Sequence, residues 1–138
     1  MVAMGDAVLT REQALEMVKG AETAFGAKDV PTIMEGFTDD IVVRFADQPE
    51  LHGKAATSAW LEKRFARQKD YRLKKTLRML AEDMIGNSWE GEWEDAFTGK
   101  AMKGRGTEFW LLRGGKVAVW DATFNIWERD AAPKEPLT

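Results

Sequence analysis

The sequence predicts an α+β fold in which three helices come first and pack against one face of a long antiparallel sheet. Three observations carry the prediction. Apolar residues recur at helical spacing in three N-terminal stretches, the period changes to alternation from Tyr71 onward, and the alternating runs are joined by glycine-containing turns of hairpin length.

The first helix opens at Thr10, which stands in capping-box spacing with Gln13. Ala14, Val18, Ala21 and Phe25 follow on one face, and the pattern ends near Gly26. "KDVPTIMEGFTDD" reads as a second, short helix, with Asp29 as its cap, Pro31 in its first turn, and Ile33, Met34 and Phe37 on the buried side. "IVVRFA" is a β-branched strand and "ELHGK" a turn. The third helix runs from Lys54 to Gln68, with Ala56, Trp60 and Phe65 as its apolar stripe and Glu62, Lys63, Arg64 and Arg67 solvated. Four long strands then follow, roughly Tyr71 to Glu82, Met84 to Phe97, Ala101 to Arg113 and Lys116 to Glu128, as a meander.

A chain of 138 residues is the size of one domain, read as 1–130, with the proline-rich "AAPKEPLT" at 131–138 as a flexible tail. The formal net charge is −3 and both signs are mixed along the chain, so no concentrated basic face suits nucleic acid. The run Lys63, Arg64, Arg67, Lys69, Arg72, Lys74 and Lys75 reads as a solvated face that could draw an anionic ligand. There is no cysteine, which excludes disulfides, zinc–thiolate sites and a cysteine nucleophile. A single histidine, His52, speaks against a histidine-rich metal site and is read as a surface or capping residue. Gly104, Gly106 and Gly114 do not open a helix, so they form no phosphate-binding fingerprint, and no cofactor is expected. No run approaches the ~20 apolar residues of a membrane helix, and the first ten residues resemble no leader, so a cytoplasmic protein is expected. Large apolar area concentrates in Trp89, Trp93, Trp110 and Trp120, four of the six tryptophans.

The stretches "FGAKDVPTIMEGFTDDIVV", "HGKAA" and "GGKVAVWDATFN", spread over about residues 10 to 128, resemble the nuclear transport factor 2-like superfamily, in which SnoaL-like cyclases and ketosteroid isomerases fall. "DYRLKK", Glu92–Trp93, "GTEFW" and "DATFN" look like one uncharacterised SnoaL-like subgroup of unknown function. The resemblance implies a cone-shaped α+β barrel, three N-terminal helices in the mouth of a strongly curved antiparallel sheet, with an internal pocket and a homodimer formed through the outer sheet face. It implies no single reaction, so function has to come from the site.

Set against the epoxide-hydrolase-like pattern of that superfamily, the last hairpin implies that Trp120, Ala122 and Phe124 point inward. Gly106, Glu108 and Trp110 would share that face, and so would Glu90 and Glu92. Trp89 and Trp93 then fall on the outer face, where a dimer would cover them together with Asn125. Trp60 and Tyr71 complete the expected pocket lining. Carboxylates beside indole rings are desolvated and mutually repelling, which raises their pKa and suits one as acid and another as base. Glu92 and Glu108 are the candidate catalytic pair. The plainer alternative is a solvated glutamate row, or salt bridges to Arg105, Lys103 or Lys75. The best-known chemistries of the superfamily do not carry over. The limonene epoxide hydrolase triad would need aspartates where Glu90, Glu92 and Ala122 stand, and the scytalone dehydratase site needs paired histidines. Tyr71 does not match the position of the ketosteroid isomerase tyrosine.

The functional expectation is a small-molecule pocket protein of SnoaL-like type. Its chemistry would be cofactor-independent and acid–base, of isomerase, dehydratase or cyclase type, on a modest apolar or aromatic substrate. The alternative is a non-catalytic ligand-binding or dimerisation module with an ionised, salt-bridged acidic stripe.

Overall fold

The computed structural model describes residues 8–132 and residue 135, and it has the predicted order of elements. Most of the expected tail, residues 133, 134 and 136–138, lies outside the described residues, as do residues 1–7. The helices are α1 (Arg11–Gly26), α2 (Val30–Glu35) and α3 (Lys54–Arg67). The strands are β1 (Phe37–Phe45), β2 (Leu51–His52), β3 (Gln68–Leu80), β4 (Met84–Asp95), β5 (Ala101–Arg113) and β6 (Lys116–Glu128).

The capping box at Thr10 forms in both directions: the Gln13 amide donates to the Thr10 hydroxyl at 3.1 Å, and the Gln13 side chain accepts from the Thr10 amide at 2.8 Å. Asp29 caps α2 by accepting from the Thr32 amide and hydroxyl. Phe37 opens β1 instead of ending α2, and it is buried there. The stripe of α3 also differs from the expected one. Ala56 is exposed, and the buried positions are Thr57, Leu61 and Phe65 with Trp60 half-buried, because the helix turns its i, i+4, i+8 row toward the sheet.

The strand order is β2-β1-β6-β5-β4-β3. The meander from β3 to β6 is antiparallel throughout, whereas β1 joins β6 in parallel, so the sheet is mixed. A register shift in each of the β1–β6, β3–β4 and β5–β6 pairings bends the sheet, as an extra residue in one strand of a pair does. The helices cover the concave side. Their apolar faces meet Ile41, Val43 and Phe45 of β1, Leu77, Ile85, Trp110, Trp120 and Ala122 in one core. The inner surface of a curved sheet closed by helices is where a cavity can form.

Candidate functional site

Which side chains reach that inner surface follows from strand register. In an antiparallel pair, directly opposed residues share a face. β4 and β5 pair without interruption from Met84–Leu111 to Glu94–Ala101, placing Asn87 opposite Glu108, Trp89 opposite Gly106, Glu90 opposite Arg105 and Glu92 opposite Lys103. Glu108 is 1% exposed, opposite buried Ala122 of β6, so this face is the interior. Ile85, Asn87, Trp89, Gly91 and Trp93 therefore point inward, and Glu90 and Glu92 outward.

This register corrects the expected orientation of β4. Glu90 is exposed, and Glu92 is bonded on the outer face by Arg72 at 3.1 Å, with Lys103 at 4.0 Å. Neither lines the interior cavity. Trp89 and Trp93 are not dimer-face residues, being 5% and 8% exposed within a single chain. Trp89 packs on Phe124 at 5.7 Å between centroids and Trp93 on Tyr71 at 6.0 Å. The reason is energetic: burying two indoles removes roughly 150–250 Å² each from water, while burying two unpaired carboxylates would cost several kcal/mol each. Glycine makes the arrangement possible at one close approach. A Cβ on Gly106 would stand 2.6 Å from Phe124 Cβ, so only glycine lets β6 come this near.

Of the other expected lining residues, Trp110 and Trp120 wall the interior cavity and Tyr71 borders a smaller void, whereas Trp60 and Phe124 pack in the aromatic cluster and line neither. Trp110 and Trp120 are 5% and 4% exposed, and Phe124 is half-buried against Phe45 at 4.4 Å. Trp60 stacks edge-on to Phe45 at 4.7 Å and to Trp120 at 6.1 Å. Tyr71 lies between Phe65 and Trp93, and burial pushes its phenol up to about 12 even though the neighbouring Arg64 charge pulls the other way. Asn125 is exposed on the outer face opposite Arg105. His52 is exposed, 3.0 Å from Glu50.

At the centre of the interior is an ion pair. Lys75 Nζ donates to Glu108 Oε2 at 2.8 Å, and the two side chains are 4% and 1% exposed. Asn87 Nδ2 donates to the same oxygen at 3.0 Å, and Trp120 Nε1 donates to Oε1 at 3.1 Å. Glu108 is thus an acceptor for three donors, the condition under which a buried carboxylate is tolerated. Lys75 Nζ is 5.2 Å from the Phe25 ring and 5.8 Å from the Trp110 ring, within cation–π range. Asn87 Oδ1 is buried without a hydrogen-bond partner, an acceptor suited to a water or a ligand hydroxyl.

Two spaces flank the pair. A cavity of about 200 Å³ lies between α1, α2 and the sheet, walled by Met17, Phe25, Ile33, Phe37, Trp110 and Trp120, with Lys75 on its wall. A void of about 20 Å³, the size of one water, touches Arg64, Tyr71, Lys75 and Glu108 on the other side. Arg64 was expected to be solvated. It is half-buried instead, with its guanidinium 4.4 Å from the Phe45 centroid, and burial pulls its pKa down.

Lys75, Asn87 and Arg64 are the site residues that sequence reasoning missed, Lys75 reading there as a salt-bridge partner and as one cation of a solvated basic run that could draw an anionic ligand. A signal for two of them was available. Leu73–Lys75–Leu77 and Ile85–Asn87–Trp89 are apolar alternations interrupted by one polar residue, and Gly106–Glu108–Trp110 carries a similar interruption. Arg64 has no such mark, because on a helix it reads as one more solvated cation. Among the described residues no cluster of three or more His, Cys, Asp or Glu could hold a metal ion, and no helix is long and apolar enough to cross a membrane.

Comparison with known proteins bears on family and fold. A family model described as "Protein of unknown function (DUF1348)" matches residues 7–128. No curated protein matches. Among solved structures, the epoxide hydrolase/cyclase-like enzyme SalBIII, of pyran ring formation in the polyether salinomycin, is similar at 15% identity. The match covers 91% of this chain and 99% of that one, with a TM-score of 0.75. A candidate SnoaL-like polyketide cyclase from Jannaschia sp. CCS1 is 14% identical over 83% of this chain and 86% of its own, TM-score 0.74. A candidate isomerase from Bacillus subtilis is 18% identical over 83% and 87%, TM-score 0.72. At these identities the likeness is one of fold, the SnoaL-like, nuclear transport factor 2-like cone.

Proposed function

The chain belongs to the DUF1348 family of proteins of unknown function, and from that premise we propose that it is a small-molecule pocket protein. The cavity of about 200 Å³ receives a modest apolar or aromatic molecule against Phe25, Phe37, Trp110 and Trp120. The observation that carries this reading is a single buried ion pair at the wall of an otherwise apolar cavity. Such a pair is costly to bury, and a site that uses it is one reason to keep it.

In the catalytic form of the proposal, Glu108 and Lys75 carry out cofactor-independent acid–base chemistry of isomerase, dehydratase or cyclase type. Lys75 presents a proton donor to the ligand, and Glu108, oriented by Asn87 and Trp120, holds the proton balance behind it. Cyclase and isomerase descriptions of the structural neighbours fit this class of reaction. A non-catalytic reading is favoured by a different observation: both Glu108 oxygens are already occupied by donors. A screen of aromatic and alicyclic compounds by thermal shift tests the pocket, with Ala21→Trp as the plugged control. Hits that stabilise the wild type and lose their effect in the plugged variant support it, and no hits at all would remove it. Product analysis on the hits then separates the two forms, since a binding module returns them unchanged.

Two further elements belong to the same proposal. One is a second copy docked on the outer sheet face, where Met79 and Phe109 lie exposed over Gly86. Light scattering on Phe109→Glu tests it, with a shift from dimer to monomer expected. The other is a cytoplasmic setting, supported by the cysteine-free composition.

A further inference from the structure

Lys75, and not Glu108, is the charged group presented by the cavity between α1, α2 and the sheet. Its walls include Lys75 and exclude Glu108, and no other charged side chain lines it among the described residues. The remaining polar wall groups are spent. The Trp120 indole N–H donates to Glu108, and the Thr32 hydroxyl donates to Asp29. An ammonium carries three donors, and one of those of Lys75 is bonded, to Glu108. The Phe25 and Trp110 rings within cation–π range of the ammonium also wall the cavity, so the unspent N–H groups have two spaces within reach, this cavity and the one-water void beside Arg64. A ligand atom reaching this end therefore meets only a donor and a positive charge.

From this we propose that the cavity selects a compact molecule bearing one anionic oxygen, a carboxylate, phenolate or enolate, which docks on Lys75. Glu108, Asn87 and Trp120 act as positioning residues that fix the ammonium. The inference rests on the cavity reading above and narrows it to a ligand class. Size narrows it further: roughly 150 Å³ of dry cavity accommodates benzene, so about 200 Å³ suits one ring with a few substituents. Cationic ligands are excluded by repulsion, and neutral ones forgo the charge-assisted bond.

The test compares three probes of similar size, 4-ethylbenzoate, its planar isostere 4-ethylbenzamide and the cation 4-ethylbenzylamine, by calorimetry on the wild-type chain. The benzoate is expected to bind at least about tenfold tighter than the amide, the difference a charge-assisted hydrogen bond supports, and the amine not to bind. In a variant carrying Lys75→Met together with Glu108→Gln, which leaves no unpaired buried charge, the benzoate should lose its margin while the amide keeps its affinity. Arg72→Gln, on the outer face, should preserve the margin. A spectroscopic readout separates ligand recognition from a structural role: 4-nitrophenol bound to the wild type should show more of its phenolate band than free 4-nitrophenol at the same pH. Equal or tighter amide binding, or a margin that survives the double variant, overturns the inference and leaves the pocket standing. Failure of all probes in wild type and plugged variant alike removes the pocket reading, and this one with it.

Discussion

Glu92 and Glu108 lie on adjacent strands of one sheet, each joined to a cation from β3, yet on opposite faces. On the outer face Arg72 and Glu92 are 73% and 34% exposed, and water screens their attraction. On the inner face Lys75 and Glu108 are 4% and 1% exposed, with aromatic rings in place of water. An exposed pair contributes about 0–1 kcal/mol. In the interior the same chemistry becomes all-or-none, because either partner left alone is a charge without solvent. The face of the strand, more than the residue type, sets what a glutamate does here.

The largest expected effect breaks the inner pair. Lys75→Met should cost about 3–5 kcal/mol in urea denaturation, and adding Glu108→Gln should restore much of the loss. A cost below about 1 kcal/mol would mean that water reaches the pair as it does on the outer face. Next comes the close approach that fixes the inner face. Gly106→Ala drives a Cβ toward Phe124 and should cost about 1–3 kcal/mol through overpacking, whereas Thr107→Ala on the outer face should stay within about 0.5 kcal/mol.

An intermediate case sharpens the contrast. Asp95 is buried while its partner Arg67 is exposed, and the hydrogen bond from Arg67, followed by that from Thr98, lowers the carboxyl from 3.8 to about 2. Since the folded value is the depressed one, this stabilisation is full above 3.8 and is lost as pH falls toward about 2. Asp95→Asn should therefore flatten the acid limb of a stability-versus-pH curve in that window and leave its shape near neutrality unchanged. The smallest effect is on the outer face, where Glu92→Gln should change stability by less than about 1 kcal/mol and leave ligand binding untouched. A loss of ligand affinity in that variant would return Glu92 to the site.

Much of the fold was legible because each element carries its own local signal. The Thr10–Gln13 box, Pro31 after Asp29 and the turns around Gly99 and Gly114 mark boundaries that recur in the structure. On β5 and β6 the inward parity came from the superfamily-like last hairpin carried along by alternation, and Glu108, Trp110, Trp120 and Ala122 are buried in the structure. β4 was misplaced, and plain hydrophobicity would have placed it: Ile85, Trp89 and Trp93 are its large apolar residues, all of one parity. Placing Glu90 and Glu92 inward meant setting that signal aside. Lys75 and Asn87 were hidden for the opposite reason, since polarity at those positions argues for the wet side until a partner such as Glu108 is seen across the strands.

By itself the sequence determined the order of helices and strands, the hairpin connections and which residues could be buried at low cost, because these depend on neighbours a few positions apart. The tertiary structure alone decided that β1 joins β6 in parallel, that Arg64 turns in over Phe45, and that Lys75, Asn87, Glu108 and Trp120 converge on one point. The physical reason is the alternation of a strand: one residue of register exchanges its faces, and register between strands is settled by the sum of long-range packing. "NSWEGEWEDAF" could fold with either face inward as far as its own backbone is concerned, and it was Gly104 that left room for the tryptophans and Phe124 and Tyr71 that packed against them.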